Sequence, residues 1–285
     1  MSVSISRRGF LGTMAGASLA AMTGAPRLLA AEPDDSKYGG FHVGIQSYSL
    51  RNFPVDRALE IIQKDLGLHY VEFFNAHFAV ASSDDDIEKM KQKTADMGIQ
   101  ISSHGVNGFS NDHEANRRCF AFAKKAGIRN ISADPSEDSF DSLDKLVDEY
   151  DVRIAIHNHG PGARYDKVTD VLNAIKGHNP KIGACADLGH YIRSDEDPVR
   201  VINLLAGRLY GIHLKDFAEQ NANTQGVILG KGHLDVAGVF KALKKVEFPS
   251  DAALSLEYEE HADNPVADIQ ACLAATAEGA RHAAG

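Results

Sequence analysis

The sequence is short of cysteine. Its three thiols, Cys119, Cys185 and Cys272, are odd in number and far apart, so no disulfide framework follows and each is expected as a buried structural side chain. Long apolar runs are scarce too: beyond residue 31 no segment approaches the length of a membrane-spanning helix. Basic residues are outnumbered, with 30 Lys and Arg against 39 Asp and Glu. An acidic surface repels phosphate backbones and anionic lipid head groups, which makes nucleic acid and membrane poor partners for the folded chain. There is no sequence repeat and no phosphate loop. Gly230-Lys231-Gly232 lacks the Ser or Thr and the strand–helix context that such a loop needs.

Acids are missing altogether from the first 31 residues, which hold Arg7, Arg8 and Arg27. Ser6-Arg7-Arg8-Gly9-Phe10-Leu11 leads into a small, mildly apolar run to about Ala25. This is the pattern of a twin-arginine export signal, with cleavage expected between Ala25 and Ala31. The run is too short and too rich in Gly, Ala and Thr to make a comfortable membrane anchor. The expected mature domain is 32–285, and losing three arginines moves the formal charge from −9 to −12. Its expected location is the periplasm or another extracytoplasmic space. The twin-arginine route carries folded proteins, so a metal can be loaded in the cytoplasm, away from tighter-binding competitors.

What remains is 44% hydrophobic in the whole chain and long enough for one large core. Short apolar or β-branched runs alternate with helix-like segments. Candidate strands are 42–48, 69–74, 99–104, 129–133, 152–157, 181–187, 208–214 and 252–257. Candidate helices include 83–97, which opens on Ser83 and three aspartates, 111–126 before Gly127, 138–149, and 236–245 after Asp235. Eight such units predict a single α/β domain, a closed (β/α)8 TIM barrel, in preference to an open doubly wound sheet. The longest irregular stretch, 215–234, is expected to form part of a lid or rim.

Barrel enzymes place their chemistry at the C-terminal ends of the strands. There, four successive strands end in metal-ligand residues: His157, Asp187, His213 and Glu257. Two carboxylates crowded at one mouth are costly to desolvate without compensation, and a divalent cation offsets their repulsion. Mixed imidazole and carboxylate donors suit one Mn, Co, Fe or Zn ion and match an all-oxygen calcium site poorly.

These residues resemble a known family. IAIHNHG at 154–160, ACADLGH at 184–190, GRLYGIHLKD at 207–216, GKGHLD at 230–235 and LSLEYE at 254–259 are similar to the motifs of the xylose isomerase-like barrels, or sugar phosphate isomerase/epimerase superfamily. The resemblance spans essentially the whole mature chain. It implies one metal held by His157, Asp187, His213 and Glu257, with His190 and Lys215 near a carbohydrate substrate. Many members have glutamate where His157 stands, and there two glutamates work on opposite faces of the substrate. His157-Asn158-His159-Gly160 is instead similar to the triple-histidine stretch of the 2-keto-myo-inositol dehydratases, which points toward a lyase.

The reaction implied is removal of a proton next to a carbonyl through an enediolate. Isomerisation or epimerisation ranks first as the broad family chemistry, with β-elimination on a keto-sugar or keto-cyclitol second. Glu257 is the first candidate base. His159, His190 and His104 are candidates for protonating a leaving group, because an ordinary imidazole titrates near neutrality. Lys215 is a candidate to neutralise an oxyanion. Glu72, Gln46, Tyr48, Arg51, His77 and Phe78 are candidate substrate-binding residues. A homo-oligomer is compatible with this reading. Two other classes compete: a metal-dependent endonuclease for damaged DNA, disfavoured by the acidic charge and the absent strand-five glutamate, and a non-catalytic sugar-binding barrel.

Overall fold

All eight expected strands form in the computed structural model, which describes residues 35–283. The expected export signal lies outside these residues. The strands are β1 (Val43–Gln46), β2 (Tyr70–Phe73), β3 (Gln100–Phe109), β4 (Asn130–Pro135), β5 (Arg153–His157), β6 (Ile182–Asp187) and β7 (Leu209–Leu214). Next come the two-residue strands β8 (Asp216–Phe217) and β9 (Gly226–Val227), then β10 (Ala253–Leu256). Eight of them close in the order β1-β10-β7-β6-β5-β4-β3-β2, every neighbouring pair parallel. The open-sheet alternative is thereby excluded. β8 and β9 pair antiparallel outside the barrel, inside the stretch expected as a rim.

The strands close because both of their faces are covered. Ile154, Ala155 and Ile156 in β5 and Ile182, Ala184, Cys185 and Ala186 in β6 are all buried, giving the near-continuous apolar runs that a helix-covered parallel sheet requires. The covering helices start where local chemistry dictates. α1 is Val55–Glu60, and α2 (Asp84–Asp96) is capped by Ser83, whose hydroxyl accepts the Asp86 N–H. α3 (His113–Ala126) stops at Gly127, which takes the left-handed conformation at φ 75°. The others are α4 (Phe140–Tyr150), α5 (Val168–Ile175), α6 (Leu188–Arg193), α7 (Pro198–Leu204), α8 (Val236–Lys245) and α9 (Val266–His282). Asp235 caps α8 by accepting the Gly238 N–H. Phe120 of α3 and Phe240 of α8 are fully buried between helix layer and barrel. Burying a side chain of this size contributes roughly 1.5–3 kcal/mol. The three cysteines are free and buried, as expected. No helix among the described residues is long and apolar enough to cross a membrane.

Candidate metal centre

Register brings the cluster together. Asp187 and His213 are directly paired between β6 and β7, and Ser255, two residues before Glu257, is paired with His213. Side chains two apart on a strand share a face, so Glu257 joins His213 at the same mouth. His157 is paired with Cys185, two residues before Asp187, and joins from β5. The four residues offer one ligand atom each, all within 4.8 Å of one another and all buried.

The individual separations fit a small ion. His157 Nε2 lies 3.0 Å from His213 Nδ1 and 3.6 Å from Asp187 Oδ2. His213 Nδ1 lies 3.8 Å from Asp187 Oδ2 and 3.1 Å from Glu257 Oε2. Four donors bound tetrahedrally at ordinary metal distances would stand about 3.4 Å apart, and these values bracket that figure. One buried polar atom that faces the cluster, Asp187 Oδ2, also lacks a partner in hydrogen-bonding geometry among the described residues. Lys215 Nζ is 2.9 Å from that Asp187 oxygen, yet outside hydrogen-bond alignment. Buried polar atoms are seldom left so, and a ligand is one of the usual reasons.

The charges agree. The carboxylates of Asp187, Glu257 and Glu259 face one ammonium, that of Lys215, whose Nζ is also 2.7 Å from Glu257 Oε2 and 2.5 Å from Glu259 Oε1, while Glu72 lies on the other side of His213. Burial opposes the lysine's charge, but Asp187, Glu257 and Glu259 outweigh it and hold its pKa well above the usual range. Burial would raise the carboxyl of Asp187, yet the Lys215 ammonium draws it well below the ordinary range. Glu257 is likewise lowered by Lys215 and His213 against the effect of burial. His213 is raised despite its burial, by the carboxylates of Glu72 and Glu257. The mouth pulls positive charge onto an imidazole, and a divalent cation at its Nδ1 would supply that charge instead.

Local motifs now have physical reasons. Asp187 spends one carboxylate oxygen on capping α6: Oδ1 accepts the His190 N–H at 2.8 Å, which turns Oδ2 toward the cluster. Gly189 is small because the stem of Lys215 passes 2.6 Å from where a Cβ would sit. Asn158 ties β5 to β6, donating to Asp187 O at 3.0 Å and accepting the Asp187 N–H at 2.8 Å. Asp216 accepts the backbone N–H groups of Gly230, Gly232 and Leu234, folding the 215–234 stretch into a fixed rim.

The remaining expected residues divide. A cavity of about 390 Å³ opens on the cluster and is lined by Gln46, Tyr48, His159 and His190 together with His157, Glu257 and Glu259. Glu72 is fully buried instead of lining it. Its Oε2 accepts from His213 Nε2 at 3.0 Å and from Ser255 Oγ at 2.8 Å, and its Oε1 accepts from Ser132 Oγ. Burial works against its charge, but His213 and the two serines hold its pKa down. Glu72 thus fixes the tautomer that leaves His213 Nδ1 free for a metal. Arg51 braces the mouth from behind, bonded to Glu259 O at 2.6 Å and stacked on Tyr48.

Four expected residues are corrected. His104 is buried, bonds Phe78 O at 2.8 Å through Nε2 and packs on Phe122 of α3. A register shift after His104 interrupts the pairing of β3 with β4, and the imidazole is turned to the helix layer, where burial lowers its pKa. Phe78 is buried against Phe73 and Phe122, and His77 is buried with Nε2 on Phe53 O. The aromatic that reaches the cavity is Phe74, edge-on to Tyr48 at 5.5 Å between ring centres. His190 stays at the site, but burial pushes its imidazole down to about 3, so it is neutral and no ready proton donor. Glu259 was missed, although it follows Glu257 by two residues, the spacing that puts side chains on one face.

Such a barrel, with a two-histidine, two-carboxylate cluster at its C-terminal mouth, has the architecture of a metal-binding (β/α)8 protein. The chain belongs to the xylose isomerase-like TIM barrel family, whose profile matches residues 62–278. It is similar to 3-oxo-isoapionate decarboxylase of Pectobacterium atrosepticum, 27% identical over 185 residues, covering 59% of this chain and 65% of that protein. It is similar also to inosose dehydratase of Clostridium beijerinckii, 24% identical over 144 residues, covering 45% of this chain and 48% of that protein. The chain therefore spans just under two thirds of one curated relative and about half of the other. A solved structure of an uncharacterised protein from Parabacteroides distasonis is 30% identical, covers 82% of this chain and 97% of its own, and superposes with a TM-score of 0.65.

Proposed function

We propose that this chain is a divalent-metal-dependent lyase acting on a keto-sugar or keto-cyclitol, by removal of a proton next to the carbonyl followed by loss of a group from the neighbouring carbon. One observation carries the choice of lyase over isomerase or epimerase. The carboxylates lining the cavity, Glu257 and Glu259, both follow β10, while β5 contributes imidazoles, those of His157 and His159. A symmetric exchange between two carboxylates on opposite faces of a substrate has no second carboxylate to use. The two curated relatives described above, a decarboxylase and a dehydratase, are named for lyase chemistry.

His157, Asp187, His213 and Glu257 would hold the metal. It would polarise the carbonyl and neutralise charge developing on the oxygen as the proton leaves. The chain's own groups do the rest. Glu257 engages Lys215 and His213 through Oε2, which leaves Oε1 to take the proton. Its low pKa keeps it ionised, at some cost in basicity. Lys215 holds Glu257 and Glu259 in place. Tyr48 and Phe74 line the cavity with aromatic rings, and His159 stands at its rim, where burial and His157 push its imidazole down to about 4, so it meets a leaving group as a neutral hydrogen-bonding side chain. We read residues 1–31 as a twin-arginine signal, so the substrate is a free or oxidised sugar met outside the cytoplasm.

The test is product analysis in deuterium oxide, with manganese-reconstituted protein and a panel of 2-keto-sugars and an inosose. An unsaturated or decarboxylated product supports the lyase. An epimer carrying solvent deuterium returns the isomerase/epimerase reading to first place. Binding without any exchange points to a sugar-binding barrel.

A further inference from the structure

A second cavity, of about 530 Å³, adjoins the cluster on its other side, beneath the β8–β9 ribbon. It shares His190, Glu257 and Glu259 with the first, and Arg193 lines it. The volume is that of a small-molecule site.

Arg193 stands out among the half-buried arginines. Arg117 and Arg153 pair with carboxylates, and Arg51 and Arg208 bond backbone carbonyls. Arg193, at the end of α6, has no described carboxylate within 4.0 Å. Its guanidinium stacks on Phe217 at 5.5 Å, and Nη1 donates to His190 Nδ1 at 3.3 Å. The far nitrogen of that imidazole, Nε2, is 3.9 Å from Asp187 Oδ2. One ring therefore separates the guanidinium from the metal-ligand cluster. The acids around this cavity are already engaged or lie at its edge. Asp216 takes three backbone N–H groups, Glu257 and Glu259 hold Lys215, and Glu260 is exposed beside Gly226. An incoming anion meets Arg193 as the uncommitted cation of the wall.

We infer that Arg193 forms an anion subsite beside the cluster, so that the substrate is an oxidised, acidic sugar whose carboxylate it clamps, a phosphate being the other anion the same fork would take. A planar guanidinium presents paired N–H donors that match either group, and stacking on Phe217 holds the fork in orientation. The inference rests on the reading of the cluster as the sugar site.

The experiment is calorimetric binding of 2-keto-D-gluconate, D-fructose 6-phosphate and D-fructose to the manganese-reconstituted protein. Wild type is compared with Arg193→Ala and Arg193→Lys, each checked for folding by circular dichroism. At least one acidic probe should bind about tenfold or more tighter than fructose in wild type. That ratio should fall to near one in Arg193→Ala and be partly kept in Arg193→Lys. Which acidic probe is preferred distinguishes carboxylate from phosphate. Equal binding of all three probes by wild type overturns the subsite and leaves the sugar site standing. An equal loss for all probes in Arg193→Ala overturns it in favour of a positioning role through His190. If manganese binds but no probe does, the sugar-site reading itself falls.

Discussion

The two ends of this barrel carry charge in opposite ways. At the floor, one carboxylate, Asp251, meets two guanidinium groups, Arg129 at 3.2 Å and Arg153 at 2.7 Å, and Asn130 donates to its backbone oxygen at 2.7 Å. The carboxylate there is fully engaged by cations, and the groups are partly open to water. At the mouth, Asp187, Glu257 and Glu259 crowd one ammonium and Glu72 holds His213, all but Glu259 are buried, and Asp187 Oδ2 has no aligned hydrogen-bond partner among the described residues. Matched, solvated charge contributes a little stability and nothing else. Buried, under-compensated charge costs stability unless something arrives to balance it. The contrast identifies the end at which ligand chemistry is expected.

The comparison can be broken first at Asp187. Replacing it with Ala should abolish high-affinity metal binding and lower turnover by on the order of 10³-fold. Manganese at a hundredfold excess over its dissociation constant should stabilise wild type by about 2.7 kcal/mol. The same addition should leave Asp187→Ala unmoved in a thermal melt. A melt in which metal stabilises both proteins equally would remove Asp187 from the centre.

Glu72→Gln sharpens the same point more gently. It keeps the shape but removes the charge that holds His213 Nε2–H. Metal affinity should fall about 10- to 100-fold while the barrel stays folded, read by metal titration and by circular dichroism. Unchanged affinity would make Glu72 a passive core group.

The smallest effect belongs to the floor. Burial raises the Asp251 carboxyl, but Arg153 and Arg129 outweigh it and leave its pKa below the ordinary value. A folded pKa below the unfolded one gives stability that is complete above the unfolded pKa and lost as pH falls through the folded one. Asp251→Asn should therefore lower the urea midpoint at neutral pH by an amount worth less than about 1 kcal/mol. Wild type and variant should converge in acid, below the usual aspartate range, and metal binding should not change.

Much of the mouth was legible because it repeats a rule. Strand ends at 157, 187, 213 and 257 each deliver a ligand-type side chain, and barrel topology collects strand ends. His104, His77 and Phe78 obeyed the same rule and fail it in space. A register shift earlier in β3 pairs Ser103 with Glu72 and His104 with Phe73, on the face turned to the helices, and the loop after β2 buries His77 and Phe78 while bringing Phe74 to the cavity. Such shifts of face depend on local pairing with a neighbouring strand, which spacing along one chain does not encode.

The sequence by itself determined the period of the elements, the helix caps at Ser83 and Asp235, and the strand ends from which the cluster is built, because these depend on near neighbours. Tertiary structure alone decided that Glu72 grips His213 from 141 residues away, that Lys215 turns from its neighbour Asp216 to Asp187, Glu257 and Glu259, and that Arg193 is left uncommitted beside Phe217. Those outcomes follow from barrel closure, which brings distant charges into one poorly solvated space where their energies depend on each other.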